Sequence, residues 1–175
     1  RDPRFIGGHP LAGAETGGVA NAREDLFEGA TWYLTPAPTV DPALRERLSA
    51  LIERLGAHPR AVTPETHDRL MACVSHLPHV LANLLVAQAL AAFERESSRP
   101  IAGPSLRDAI RVAGANTAIW TDIYLANAPA LIEAIDELAG RLLAVRAILS
   151  EGDPGALAAW NDAARAARGA FLDGP

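Results

Sequence analysis

Apolar positions along this chain change rhythm once. Up to residue 62 they come in short runs. "RFIGG" reads as a brief strand, and Thr31 to Thr35, aromatic and β-prone and ended by prolines, reads as a second. "DPALRERLSALIERLGA" switches to a helical period. Leu44, Leu48, Leu51, Ile52 and Leu55 fall on one face, Asp41 caps, Pro42 opens the first turn and Gly56 stops it. "HPRAVT" then predicts a short third strand. Strand, helix, strand in that order suits the last part of an α/β sheet domain.

From residue 63 the pattern is nearly all helical. Thr63 caps, Pro64 takes the first position and Thr66 the third, a partial capping box. Pro78 lacks the N–H its turn needs and clashes with the turn before it, which predicts a kink or a break near residues 74–78. "SSRPIAGPS" is a loop, followed by short helices at about 105–112 and 116–126. In the next helix Leu131, Ile135, Leu138, Leu142, Val145 and Leu149 repeat at four and three, the spacing of a seam between helices. Asp153 caps a last helix with Leu157, Trp160, Ala164, Ala167 and Phe171 roughly along one side. The expected organisation is residues 1–62 as the C-terminal remnant of a Rossmann-type α/β domain, and residues 63–175 as an all-α helical domain.

Composition narrows the partners. Apolar residues make up 49% of the 175, enough for a substantial core, and the net charge is -5. That balance gives no basic field for nucleic acid or an anionic membrane, although one arginine can still hold a carboxylate locally. The lone Cys73, in an apolar helical setting, is expected to be buried and inert. "LANLLVAQALAAF" is too short to span a membrane. The expectation is a cytoplasmic protein with no signal peptide and no membrane span. "RDPRFIGG" enters a strand almost at once and without an initiator Met, so the chain is expected to begin inside a larger protein.

Five histidines carry the candidate chemistry: His9, His58, His67, His76 and His79. The pair in "HLPH" with a distant His or Asp offers three metal ligands. Without a Cys cluster or H-E-x-x-H, zinc is the weaker reading, beside helix-capping histidines or a shared polar cleft. His9 follows two glycines and precedes a proline. Local sequence leaves it either a surface turn or a general base at a strand end. Arg107 and Arg111 flank Asp108 and form either a solvated face or a carboxylate anchor. Trp120 and Tyr124 share a face that reads first as core. "FIGG" fails as a dinucleotide fingerprint, because no G-x-G-x-x-G exists in the chain.

"GGHPLAGAETGG", "DLFEGATWYLTP", "TPETHDRLMACVSHLPHVLA" and "LRDAIRVAGANTAIWTDIYLAN" occur in order, and together they resemble the prephenate dehydrogenase family, which includes arogenate and cyclohexadienyl dehydrogenases. The resemblance implies an N-terminal Rossmann-type domain that binds NAD or NADP and a helical domain that dimerises. It implies oxidative decarboxylation of prephenate to 4-hydroxyphenylpyruvate, or of arogenate to tyrosine, with no metal. On this resemblance His9 is the catalytic histidine that accepts or polarises the substrate hydroxyl proton, and Arg111 binds a substrate carboxylate. His79, with His76 beside it, and Trp120 line the substrate pocket. Glu15, Asp68 and Asp108 form an ionic network with His67 alongside, and Gly8 and Pro10 lie near the nicotinamide. Hydride loss builds carbonyl character, so one imidazole as proton acceptor suits the chemistry, and a dicarboxylate substrate suits an arginine.

The glycine-rich fingerprint, the acid that selects the ribose and an upstream serine of the family are absent from this sequence. The chain alone is therefore expected not to bind NAD tightly or turn over. A non-catalytic helical dimerisation or ligand-sensing module is the alternative. A 6-phosphogluconate-type or other hydroxyacid dehydrogenase relies on a lysine, and all 16 basic Lys/Arg residues here are arginine.

Overall fold

The structure, a computed structural model, describes residues 2, 4–13 and 18–172. Strands β1 (Ile6–Pro10), β2 (Thr31–Pro36) and β3 (His58–Ala61) form one sheet in that order. β1 runs antiparallel to β2, and β3 parallel to it. Helix α1 (Pro42–Arg54) makes the crossover that two parallel strands require. Asp41 caps it, Oδ1 accepting from the Ala43 N–H at 2.9 Å. Gly56 ends it at φ +82, a left-handed turn that a side chain resists.

Register sorts the sheet into two faces. His9 pairs with Tyr33 and Gly7 with Thr35, so those four residues share one face. Ile6, Gly8 and Pro10, with their partners Pro36, Leu34 and Trp32, share the other. That second face is the apolar core, where Leu34, Ile52 and Ala57 are buried and Ile6, Phe27, Trp32 and Leu48 pack around them. Burial of Leu34 and of Ile52 contributes about 1.5–3 kcal/mol each. The strands approach closely over the two glycines. A Cβ on Gly8 would come within 3.0 Å of the Trp32 indole nitrogen, and one on Gly7 would collide with the Thr35 hydroxyl.

Beyond β3, one helix runs from Pro64 to Arg95. It consists of α2 (Pro64–Met71), a π-helical turn (Ala72–His76) and α3 (Leu77–Arg95). Thr63 caps it as expected, accepting from the Thr66 N–H at 3.1 Å, and the two hydroxyls meet at 3.0 Å. Such a cap is worth about 1 kcal/mol. α2 packs against β2. The kink or break expected near residues 74–78 takes the form of an irregular turn, and the helix does not stop at Pro78. The irregularity lies just before it, where the wide turn takes in an extra residue and eases the carbonyl the proline ring would strike.

Continuity corrects a second expectation. The helix is long and apolar enough to cross a membrane by length and composition, with a window of mean hydropathy 1.6. One such helix is weak evidence of a span, since helices of soluble cores pass the same test, and this one carries two buried imidazoles, His76 and His79. Cys73 is a third correction: it lies on the π turn and is exposed.

Helix α4 (Pro104–Ile110) tightens into a 3-10 turn at Arg111–Gly114, and both pack on α3. The chain divides into two compact units, the first ending at Ala115 and the second beginning at Asn116. The change of sequence pattern at residue 63 is thus a different boundary: α2 to α4 group with the sheet. In the second unit, Asn116 caps α5 (Thr117–Ala126), accepting from the N–H groups of Ala118 at 3.0 Å and Ile119 at 3.3 Å. α6 (Ala128–Glu151) ends on left-handed Gly152, and Asp153 caps α7 (Pro154–Leu172). Among the described residues of this unit, Asn127, Leu131 and Ala134 are buried. The seam on α6 is buried at Leu131 but open further along, where Leu142 is 59% exposed and Leu149 60%.

Candidate active site

The site builds on the sheet face that carries His9 and Tyr33. A cavity of about 210 Å³ opens there, lined by Gly7, Gly8, His9, Tyr33, Thr35 and His67. It is smaller than the roughly 300 Å³ at the low end of ligand clefts, so it suits one end of a small molecule. His67 comes from the second turn of α2. Its Nε2 lies 2.9 Å from Nδ1 of His9, and its own Nδ1 lies 2.9 Å from Oδ1 of Asp68. The His9 and His67 rings meet edge to face at 5.2 Å, and Tyr33 packs against His67 at 6.0 Å. The sheet and the capped helix start therefore fix a carboxylate–imidazole–imidazole chain.

The π turn decides what else faces it. A regular helix advances about 100° per residue, which would set His76 about 180° and His79 about 120° away from His67. One extra residue in the turn brings them to about 80° and 20°. His76 is buried and feels the charges of His67, His9 and Asp68. His79 is buried on α3, with the Asn83 amide donating to its Nδ1 at 3.3 Å. Burial pushes the pKa of His9, His76 and His79 below the ordinary imidazole value. The neighbouring His67 adds to the shift at His9. At His76, His67 and then His9 add to it, and the Asp68 carboxylate opposes it. The outer edge of His9 is exposed, so its desolvation acts through the side turned to His67. A neutral His9 beside a small cavity is able to accept a proton.

The remaining residues singled out by sequence are distributed. Arg111, exposed, begins the 3-10 turn that packs on α3, and Asp108 is exposed near the end of α4. Trp120 belongs to the second unit, where its ring packs on Tyr124 at 5.7 Å. Gly8 lines the His9 cavity, and Pro10 ends β1 opposite Trp32. Glu15 lies outside the described residues. Sequence reasoning missed Tyr33, Thr35 and Asn83. Alternation along β2 puts Tyr33 and Thr35 on one face, but only the register with β1 says that His9 shares it.

Comparison with known proteins bears on this geometry. Residues 63–162 match the family model "Prephenate dehydrogenase, dimerization domain", and residues 2–60 match "Prephenate dehydrogenase, nucleotide-binding domain". The chain belongs to the prephenate dehydrogenase family. It is 35% identical to prephenate dehydrogenase of Bacillus subtilis over 86% of this chain and 41% of that protein. Against cyclohexadienyl dehydrogenase of Zymomonas mobilis the figures are 33%, 85% and 52%. The chain thus spans about half the length of these relatives. Among solved structures, prephenate dehydrogenase from A. aeolicus in complex with hydroxyphenyl propionate and NAD+ superposes with a TM-score of 0.87 at 28% identity, covering 97% of this chain and 60% of that one. Synechocystis arogenate dehydrogenase gives 0.83 at 28%, covering 97% and 62%. The mixed fold expected from the sequence, a small Rossmann-like sheet followed by helices, is the fold these family members share with it.

Proposed function

We propose that this chain carries the proton-handling edge and the helical domain of a dehydrogenase that oxidatively decarboxylates prephenate to 4-hydroxyphenylpyruvate in tyrosine biosynthesis. The observation that carries the reading is His9, favoured as neutral, set beside a small cavity and held at Nδ1 by His67. His9 accepts the substrate hydroxyl proton at Nε2 as the carbinol carbon becomes a carbonyl. Arg111 anchors a substrate carboxylate, which the two carboxylates of prephenate invite. The family resemblance gives His79, His76 and Trp120 the role of substrate-pocket residues, and Glu15, Asp68, Asp108 and His67 that of an ionic network. The ring carboxylate leaves as carbon dioxide and its electrons close the aromatic ring.

NAD or NADP supplies the hydride acceptor when bound. Gly7 and Gly8 give the His9 cavity a floor of small residues that suits a flat ring, with Gly8 and Pro10 near it. The phosphates need a glycine-rich cradle that these 175 residues do not contain. The activity therefore belongs to a protein in which such a segment joins residues 1–62, with residues 63–175 as the substrate-binding and dimerising part. The family match to a dimerization domain and the exposed seam of α6 support a homodimer, and a cytoplasmic setting goes with this reading.

A second reading, oxidation of arogenate directly to tyrosine, is supported by the likeness to Synechocystis arogenate dehydrogenase. Rates of the full-length enzyme with prephenate and arogenate, each with NAD and with NADP, test both. Turnover of prephenate above arogenate is expected. The reverse order establishes the second reading, and turnover of neither substrate leaves a non-catalytic module.

A further inference from the structure

With both imidazoles neutral, hydrogen-bond direction places the protons in the Asp68–His67–His9 chain. A carboxylate only accepts, so the proton between Asp68 and His67 is on His67 Nδ1. A neutral His67 then has a lone pair on Nε2, and the contact at 2.9 Å requires His9 to donate from Nδ1. That leaves Nε2 of His9 as its acceptor. Both contacts are 2.9 Å and run through the two nitrogens of one ring, so a proton arriving at one end has a path to the other.

We propose that His67, backed by Asp68, stores the substrate proton during turnover, rather than only orienting His9. The inference rests on the dehydrogenase reading above. As the substrate O–H bond breaks, its proton passes to His9 Nε2, and the O–H electron pair becomes the second bond of the carbonyl while hydride leaves for the nicotinamide dinucleotide. His9 gives its Nδ1 proton to His67 Nε2. His9 ends neutral in its other tautomer, and the positive charge rests on His67, in contact with the Asp68 carboxylate. Loss of carbon dioxide then returns an electron pair to the ring oxygen as a phenolate. The stored proton runs back along the same two bonds to make the phenol. No net proton is released, which matches an oxidative decarboxylation of a dicarboxylate to a phenol monocarboxylate.

Charge placement favours storage on His67 over His9. A cation on His9 lies beside His67 and partly out of water, with His76 on the π turn as a further imidazole in reach. A cation on His67 is itself largely out of water, its side chain 20% exposed, but it faces the Asp68 carboxylate at 2.9 Å, and that contact is what favours it. Tyr33, the other titratable group against His67, packs edge-on to its ring at 6.0 Å.

Two variants separate storage from orientation. His67→Gln keeps an acceptor for His9 and a donor for Asp68 but cannot take a proton; Asp68→Asn keeps a hydrogen-bonding side chain and removes the charge. In the full-length enzyme, His67→Gln is expected to lower kcat by about 100-fold, the lower end of what one acid–base group supplies, with KM within about twofold. Asp68→Asn moves kcat in the same direction by less and shifts the acidic limb of its pH profile. Nitrogen-15 NMR of the histidine rings, on the 175-residue chain itself, is expected to show His9 protonated at Nδ1. A His9 protonated at Nε2 overturns the chain of donors, and wild-type kcat in His67→Gln reduces His67 to orientation. Either result leaves the dehydrogenase reading standing, because that reading falls only if neither substrate is turned over.

Discussion

The first compact unit ties its polar groups to partners within itself. His9 is held from β2 and from α2, His67 from His9, Asp68 and Tyr33, and the sheet beneath them closes on Leu34 and Ile52. The second unit buries fewer side chains. Its helices are well capped, yet among its described residues three are buried, while Leu142, Leu143 and Leu149 on α6 and Phe171 on α7 stand largely in solvent. Rows of apolar side chains at helical spacing, left uncovered, are what a surface made for another surface looks like. One unit holds a few atoms in fixed geometry, and the other fits the homodimer proposed above.

The largest expected effect tests the first half of that contrast. In the full-length enzyme, His9→Asn keeps a polar side chain on β1 and removes the base. It should lower kcat by about 10²–10⁴-fold, the range for a positioned acid–base group, with little change in KM. Steady-state rates with prephenate measure it. Unchanged turnover would mean that the interlocked polar cluster of the first unit is structural, and the contrast between a chemical unit and an associating unit would fail.

The two units were also unequally legible in the sequence. Local signals alone predict α5, α6 and α7: the apolar pattern at about 116–126, the four-three repeat from Leu131 to Leu149 and the Asp153 cap put the helices where they appear. The site is not local. His9 and Tyr33 meet because β1 pairs with β2 in one particular register, and His67 reaches His9 across 58 residues of chain. Local rules left His9 between a turn and a base; ordered motifs and their family resemblance moved it toward the base. The π turn escaped both. Proline rules see a lost hydrogen bond at Pro78 and predict an interruption. They do not see that widening the preceding turn keeps the helix whole and swings His76 and His79 toward His67.

A middle-sized effect tests the second half. Leu142→Glu puts a charge into the exposed seam of α6. If the seam is buried between two copies, losing one leucine there costs about 2 kcal/mol, or about 30-fold in the dimer Kd. Sedimentation of the 175-residue chain over a concentration series reads this directly, and the histidine NMR signals of the first unit should stay in place. An association constant equal to wild type would move the interface off α6. Shifted His9 and His67 signals would show instead that the two units are not energetically separate.

The smallest expected effect is on stability, and its location sharpens the contrast most. All five histidines lie at or before residue 79, so every imidazole belongs to the first unit. Burial favours the neutral form of His76 and His79 in the folded chain, below the ordinary value of 6.5. The sign follows from proton binding: as pH falls through about 6.5, the unfolded chain takes up protons that the folded chain refuses, so stability drops. Above that pH the contribution is fully present and flat. Each group can add at most about 1.4 kcal/mol per pH unit, and less while the shift is partial. Urea midpoints at pH 7.5, 6.5 and 5.5 should fall in that order, and His76→Gln should flatten the slope. Amide hydrogen exchange at pH 5.5 should quicken in the sheet and around the π turn more than in α5 to α7, once the intrinsic pH dependence is removed. Equal quickening in both units would mean that they unfold as one, and the division at Ala115 would then describe packing without describing stability.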